Sequence, residues 1–236
     1  MPDSRGLDQG WLDLNGDRHI QAGSSIMSCD TTVRLRNAIT TMPVVAILRG
    51  VRPDEVIAVA QAIYDAGIRV IEVPLNSPDP LASIESLAVH FGNDAIIGAG
   101  TVLNADDVAR SSNAGAQIIV SPNMNVDVIR ATLGAGIISA PGCLTPTEAF
   151  AALDAGAHAI KLFPGELIPA AAVKGMRAVL PKDTIVLVVG GVSADAVASY
   201  RAAGADGFGI GSAIYRAGLT AAETGANAAR FVAALS

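Results

Sequence analysis

Cysteine, aromatic residues and long apolar runs are all scarce in this sequence, and each shortage excludes a class of protein. Two cysteines, Cys29 and Cys143, are too few and too far apart for a disulfide framework or a CxxC zinc site. The charge-free stretch at 131–147 is interrupted by glycine and proline, so no run reaches the roughly 18 apolar residues of a membrane span. We therefore expect a soluble protein of a reducing compartment, the cytoplasm, with no membrane partner.

Charge is also scarce, and it shows no clustering. Charged residues make up 16% of the chain, the formal net charge is −6, and the three lysines and thirteen arginines are scattered singly. Without a basic stripe, the sequence does not predict a nucleic-acid partner. The three histidines, at 19, 90 and 158, are far apart, and no HExxH, Walker or GxSxG motif is present. These absences argue against a metal site.

The first 30 residues differ from the rest of the chain. They are polar, rich in glycine and aspartate, and show neither sustained periodicity nor the apolar core of a signal peptide. We expect residues 1–30 to be a disordered or non-native extension, with Met27 as the natural first residue. Residues 31–236 are expected to form one domain.

From residue 42 onward the chain repeats one plan, a short β-rich run, a turn and an amphipathic segment. Eight runs have the pattern of strands, at a start-to-start spacing of about 19–27 residues, which is the length of one βα unit. An open doubly wound sheet could hold such units, but eight regular ones favour a (β/α)8 TIM barrel, with a leading helix at 32–40 across its floor. The predicted strands are 44–48, 70–73, 96–101, 117–121, 136–139, 158–163, 185–189 and 207–210.

Two charged residues interrupt apolar strands. Lys161 lies in the sixth predicted strand, and strand alternation places it with Ala159 and Phe163 on the face inside the barrel. Glu72 interrupts the second strand in the same way. A desolvated amine has a lowered pKa and a lone pair for attack on a carbonyl, while a buried carboxyl has a raised pKa and can transfer protons. From the residues alone, a nucleophile with an acid/base group and a structural ion pair explain this pattern equally well.

Two further polar residues end strands, and TIM barrels carry their active sites at the C-terminal ends of strands. Arg49 ends the first strand and could donate two hydrogen bonds to a carboxylate or phosphate, although a salt bridge at the rim is the alternative. Thr101 ends the third strand after Gly-Ala-Gly, where its hydroxyl and nearby amides could orient a carboxylate. Both residues are therefore candidates for binding an acidic substrate.

The turns after the last two predicted strands are rich in glycine. One contains Gly190 and Gly191, and the other contains Gly211 and Ser212. Glycine lets backbone amides approach an anion, and each turn leads to a helical segment whose N-terminus favours negative charge. Loops at these positions recur as phosphate sites in TIM barrels. The sequence therefore predicts a phosphate site, with tight turns that bind no ligand as the alternative.

Six short motifs occur in a fixed order between about residues 43 and 218. They are AILRG at 46–50, IEVPLNSP at 71–78, GAGTV at 98–102, SPN at 121–123, PGC at 141–143 and KLFP at 161–164. In order and spacing they resemble the motifs of the 2-keto-3-deoxy-6-phosphogluconate and 4-hydroxy-2-oxoglutarate aldolases. Within that family, PLNSP at 74–78 and PGCLT at 141–145 are similar to the 2-dehydro-3-deoxy-6-phosphogalactonate branch, while Glu166 departs from the small residues of that branch.

The resemblance implies a Schiff-base (class I) aldolase that cleaves 2-dehydro-3-deoxy-6-phosphogalactonate to pyruvate and glyceraldehyde 3-phosphate. It implies no cofactor, and a homotrimer. Lys161 would form the imine, and Glu72 would relay protons. The remaining residues would divide into Arg49 and Thr101 for the substrate carboxylate, Gly190, Gly191, Gly211 and Ser212 for the phosphate, and Asn76 for the hydroxyl that separates galactonate from gluconate.

Three other interpretations stay open. The substrate could be 2-dehydro-3-deoxy-6-phosphogluconate or 4-hydroxy-2-oxoglutarate. The protein could instead be a phosphosugar isomerase or epimerase in which Lys161 acts only as an acid or base. It could also be a sugar-phosphate binding protein without catalytic activity.

Overall fold

The computed structural model describes residues 22–235, and within them nine parallel strands alternate with helices. No helix of these residues is both long and apolar enough to cross a bilayer. The strands are β1 (Val44–Ile47), β2 (Val70–Pro74), β3 (Ile96–Gly100), β4 (Ile118–Val120), β5 (Ile138–Ala140), β6 (Gly142–Cys143), β7 (Ala159–Leu162), β8 (Ile185–Val189) and β9 (Gly207–Ile210). The helices are α1 (Ala22–Thr41), α2 (Val56–Asp65), α3 (Pro80–Phe91), α4 (Ala105–Asn113), α5 (Val126–Gly134), α6 (Pro146–Asp154), a 3₁₀ turn (Gly165–Leu167), α7 (Ala170–Val179), α8 (Ala194–Ala202) and α9 (Ala221–Ala233).

The strands form a barrel in the order β5-β4-β3-β2-β1-β9-β8-β7-β6. Strand β5 overlaps the predicted fifth strand, 136–139, and β6 continues beyond it after an interruption at Pro141, because proline has no N–H to donate to the ladder. The carbonyls of Ser139 and Pro141 accept hydrogen bonds, each of 3.0 Å, from the N–H groups of His158 and Lys161. These bonds join the two ends of the sheet. The predicted TIM barrel is confirmed, with its fifth strand in two segments.

Alternation along the strands divides the buried apolar residues between two cores. Val70 and Ala159 belong to the cluster inside the barrel, whereas their neighbours Ile71 and Ile160 belong to the cluster between the strands and the helices. Since successive strand residues face opposite sides of a sheet, Lys161 lies on the inner side. This local rule explains how a charged residue within an apolar strand comes to face the barrel interior.

Helix α1 covers the N-terminal end of the barrel. Leu35 and Ile39 are buried there and belong to the cluster inside the barrel. The helix begins at Ala22, ten residues before the predicted start of the segment 32–40. Residues 1–21, most of the predicted extension, lie outside the described part of the chain.

Helix α9 completes the last βα unit and was absent from the predicted segments. It begins at a capping box, in which the Thr220 hydroxyl accepts the N–H of Glu223 at 3.2 Å and the Glu223 carboxylate accepts the N–H of Thr220 at 2.8 Å. Gly225 allows a close approach to Ala62 of α2. The helix is rich in alanine, and Phe231 is its one aromatic residue. Its sequence therefore shows no pronounced apolar face, and packing against α2 stabilises the helix.

Candidate active site

A cavity of about 700 Å³ opens at the carboxyl ends of the strands. The structure brings eight of the nine predicted site residues together in its wall, and places the ninth, Asn76, in contact with one of the eight. Among the side chains of residues 31–235, no group of His, Cys, Asp and Glu could hold a metal ion. The eight residues are Arg49, Glu72, Thr101, Lys161, Gly190, Gly191, Gly211 and Ser212.

Lys161 lines this cavity from β7, which lies between β8 and β6 in the sheet. It is only 6% exposed, and its Nζ lies 4.7 Å from the centre of the Phe163 ring. Burial lowers the pKa of the amine; the negative charge of Glu72 raises that pKa, and the positive charge of Arg49 lowers it. Burial is the largest of these effects, so the neutral amine is favoured relative to an ordinary lysine.

Glu72 lines the cavity from β2 and is only 3% exposed. Its Oε2 lies directly against Gly100 of β3, where any Cβ atom would overlap that oxygen. Among the residues that the structure describes, this buried Oε2 has no hydrogen-bond partner. Burial raises the pKa of the carboxyl, and the charges of Lys161 and Arg49 lower it by less.

Burial shifts the pKa values of Lys161 and Glu72 in opposite directions, so each group takes its neutral form more readily than it would in water. A neutral amine has the lone pair that nucleophilic attack requires. A carboxyl with a raised pKa donates and accepts a proton at a higher pH than an ordinary glutamate does. A buried oxygen without a partner costs free energy, and a ligand hydroxyl could satisfy it. The pair is therefore suited to covalent chemistry on a carbonyl compound that carries hydroxyl groups.

Arg49 follows β1 and is held by the loop after β2. Its Nη1 donates to Oδ1 of Asn76 at 2.7 Å, and the N–H of the adjacent Gly50 donates to the hydroxyl of Ser77 at 2.9 Å. These two bonds join neighbouring loops and orient the guanidinium. Because Arg49 is exposed and lines the cavity, the guanidinium can reach an anionic ligand.

Thr101 follows β3 and has a strained backbone. Its φ of 59° lies in the left-handed region, which is rare for a β-branched residue. Strain of this kind persists where the surrounding structure imposes it, and it is concentrated at functional sites. Thr101 lines the cavity directly after Gly100, so the strained residue adjoins the glycine that accommodates Glu72.

The turns after β8 and β9 form another part of the cavity wall. Gly190 and Gly191 have φ values of 105° and 62°, which residues with side chains rarely adopt. Gly211 and Ser212 follow β9, and Ser212 is exposed. Backbone amides in turns of this kind can approach an anion closely. The two glycine-rich turns predicted to bind phosphate thus line one cavity with Lys161.

Among the wall residues that were not predicted, three have ionisable side chains. Glu166 was noted only as a departure from a motif, and Tyr215 and Arg216 lie in the turn after β9. The Tyr215 hydroxyl donates to Oε1 of Glu55 at 3.2 Å, which ties this turn to the loop after β1. Burial and Glu55 raise the pKa of Tyr215 to about 12. Arg216 could have been predicted from the sequence, because it is a positively charged residue only four positions after Ser212 of the predicted phosphate site.

We expect Gly100→Ala to destabilise the protein because the new methyl group overlaps Oε2 of Glu72. Overpacking of this kind lowers the free energy of unfolding by about 1–3 kcal/mol, measurable by urea denaturation. The matched control is Gly175→Ala, at an exposed position of α7 where a Cβ atom meets nothing within 4 Å. Alanine there should raise the free energy of unfolding by about 1 kcal/mol.

The combined variant Glu72→Ala/Gly100→Ala separates this overlap from a general effect on β3. Without the Glu72 carboxylate, the cost of Gly100→Ala should largely disappear. An equal cost in both backgrounds would show that Gly100 does not provide the space for Glu72.

Several known proteins are similar to this chain in sequence and in fold. A family model described as KDPG and KHG aldolase matches residues 35–229. The chain is 46% identical over 195 residues to 2-dehydro-3-deoxy-6-phosphogalactonate aldolase of Escherichia coli (strain K12), a match that covers 83% of this chain and 95% of that protein. It is 43% identical over 181 residues to the probable 2-dehydro-3-deoxy-6-phosphogalactonate aldolase of Rhizobium meliloti (strain 1021), covering 77% and 85%.

A solved structure described as native KDPGal superposes with a TM-score of 0.81 at 45% identity, covering 83% of this chain and 95% of that one. The sequence comparisons and the structure comparison therefore point to the same family over most of the chain. The protein belongs to the KDPG and KHG aldolase family.

Proposed function

We propose that the protein is a Schiff-base (class I) aldolase that cleaves 2-dehydro-3-deoxy-6-phosphogalactonate to pyruvate and glyceraldehyde 3-phosphate. The observation that carries this proposal is the buried Lys161 amine in one cavity with the buried Glu72 carboxyl and two glycine-rich turns. The two curated relatives, in Escherichia coli and Rhizobium meliloti, carry the name of this activity and support the choice of substrate.

Lys161 begins the reaction. Its nitrogen lone pair forms a bond to the C2 ketone carbon, and the proton that the nitrogen then loses passes through water to the ketone oxygen to give a carbinolamine. Protonated Glu72 gives its proton to that hydroxyl, which leaves as water, and the nitrogen lone pair forms the protonated imine. Glu72 is left as the carboxylate that the next step requires.

The protonated imine then accepts the electrons of the C3–C4 bond. The Glu72 carboxylate removes the proton of the C4 hydroxyl, C4 becomes the carbon of an aldehyde, and an enamine remains on Lys161. Protonation of the enamine at C3 and hydrolysis release pyruvate and restore the amine. Glu72 and water carry every proton in this sequence, so the scheme includes no cofactor.

The two ends of the substrate require anion-binding groups. Arg49 and Thr101 hold the carboxylate beside the ketone, and charge-assisted hydrogen bonds from the guanidinium orient C2 toward Lys161. Arg216 adds a positive charge at the phosphate end. The phosphate itself binds to the glycine-rich turns, through Gly190, Gly191, Gly211 and Ser212.

Incubation with pyruvate and borohydride should modify Lys161, because borohydride reduces an imine to a stable amine. Peptide mass mapping should show the increment on Lys161, while the exposed Lys174 and Lys182 serve as internal controls. The pKa of Lys161 is lowered, so the trapped fraction should rise with pH and should do so below the pH at which an ordinary lysine reacts. An unmodified Lys161 peptide would contradict the imine and favour the isomerase interpretation.

Glu72→Gln tests the acid/base role separately from imine formation, because it removes the ionisable group and keeps the size of the side chain. Cleavage should slow by roughly 10²–10⁴-fold, the usual contribution of general acid/base catalysis. The pyruvate adduct should remain trappable. Since Glu72 raises the pKa of Lys161, its removal should move the onset of trapping to lower pH. Loss of the adduct together with unfolding would instead support a structural ion pair.

We propose that Asn76 contacts the C4 hydroxyl whose configuration distinguishes the galactonate substrate from 2-dehydro-3-deoxy-6-phosphogluconate. Asn76→Ala should lower kcat/KM for the galactonate by about tenfold more than for the gluconate, since one hydrogen bond to substrate is lost. Asn76 also holds Arg49, and loss of that bond should affect both substrates equally. An equal decrease on both would restrict Asn76 to positioning Arg49.

We propose a cytoplasmic homotrimer, with which the free thiol of Cys143 agrees. Leu103 follows β3, Leu144 follows β6 and Phe150 lies on α6; each is a large apolar side chain at least 39% exposed, and a group of such side chains marks an interface. Sedimentation equilibrium should give three times the 23.9 kDa chain mass. Phe150→Glu should dissociate the trimer, whereas Val89→Glu on α3 should not. A monomeric mass for the unmodified protein would contradict this assembly.

A further inference from the structure

Glu166 places a carboxylate against the glycine turn to which the proposed function assigns the substrate phosphate. A Cβ atom built on Gly190 would lie 2.6 Å from Oε2 of Glu166, and one built on Gly191 would lie 2.5 Å from its Cγ and 2.9 Å from its Oε1. The side chain therefore covers both glycines closely. Because Glu166 also lines the cavity, its negative charge lies in the space that a phosphate would enter.

Packing of the backbone explains why Glu166 lies there. Gly165 is so close to Gly190 that a Cβ atom on Gly165 would overlap the carbonyl oxygen of Gly190. At the other end of the 3₁₀ turn, the Tyr200 hydroxyl of α8 donates to the carbonyl of Ile168 at 2.9 Å. The turn is thus held against both the glycine turn and the helix that follows it, so rotation of the Glu166 side chain is the simplest way for the carboxylate to leave.

Arg216 gives this end of the cavity the opposite charge. It is exposed, lines the same cavity from the turn after β9, and carries a guanidinium that favours an anion. The distal end therefore combines one residue that attracts a phosphate with one that repels it. Glycine turns and Arg216 together would bind phosphate more tightly without the carboxylate.

We propose that Glu166 is a specificity-determining residue, whose carboxylate competes with the distal phosphate of the substrate for the turn at Gly190 and Gly191. It weakens the binding of a doubly charged group relative to a singly charged or neutral one. The inference rests on the proposed function for the assignment of phosphate to this turn. Like charges about 4 Å apart change a dissociation constant by roughly fivefold in bulk water and by more near a protein surface, so with partial screening by salt we expect an effect of roughly tenfold.

Calorimetric titration with inorganic phosphate tests this proposal without any need for catalysis. Glu166→Gln keeps the shape of the side chain and removes its charge, so the Kd for phosphate should fall by roughly tenfold at constant ionic strength. Glu85→Gln is the control, because Glu85 is exposed on α3 and is absent from the cavity wall. That variant loses the same charge and should bind phosphate as the unmodified protein does.

Steady-state kinetics supply the second measurement. In Glu166→Gln the KM for the phosphorylated substrate should fall in parallel with the Kd for phosphate, with the gain in KM rather than in kcat. Trapping of pyruvate on Lys161 should be unchanged, because pyruvate has no distal phosphate. Arg216→Gln should act in the opposite direction and raise the KM.

Phosphate binding that is unchanged or weaker in Glu166→Gln would overturn the proposal, as would an equal gain in Glu85→Gln. The outcomes also separate this inference from the proposed function. Failure to trap pyruvate or to cleave substrate, together with tighter phosphate binding in Glu166→Gln, would contradict the proposed aldolase activity and leave the inference about Glu166 intact. Normal trapping and cleavage, with no change in phosphate binding in Glu166→Gln, would contradict only the inference about Glu166.

Discussion

Burial of one amine and one carboxyl inside a barrel of apolar strands is the constraint on which the site depends. Lys161 and Glu72 are 6% and 3% exposed, and lysine and glutamate are almost never so deeply buried without close partners. Burial is the largest cause of both pKa shifts, and it acts on the two groups in opposite directions. Exposure to water would remove the cause of both shifts and so remove the advantage that the proposed chemistry takes from them.

The missing side chains of glycines determine much of the geometry around this pair. Gly100 provides the space in which the Glu72 carboxyl lies, and Gly165 allows the backbone carrying Glu166 to approach Gly190. The absent Cβ atom of Gly100 makes room for a carboxylate of another strand, and that of Gly165 lets the neighbouring carboxylate reach the turn after β8. Since a buried oxygen without a partner destabilises the folded state, this arrangement is the kind in which stability is given up for activity.

The two ends of the cavity differ in exposure and therefore in how charge acts. At the reacting end, Lys161 and Glu72 interact where water is largely excluded, so small displacements have large effects. At the distal end, Glu166 and Arg216 are exposed and their charges are screened by water and salt. Exposed charges of opposite sign can adjust the affinity for a phosphate without altering the chemistry at Lys161.

Strand periodicity determined the barrel, the inward direction of Lys161 and Glu72, and the two glycine-rich turns, because each of these follows from local chain geometry. Family motifs supplied the substrate, which no local rule contains. Only the tertiary structure decided that Gly100 accommodates Glu72, that Asn76 holds Arg49, and that Glu166 covers the glycine turn. It also decided that α9 packs as a helix and that the ladder closes across Pro141. These features depend on distances between residues far apart in the chain, and those distances are set by how the strands pack together.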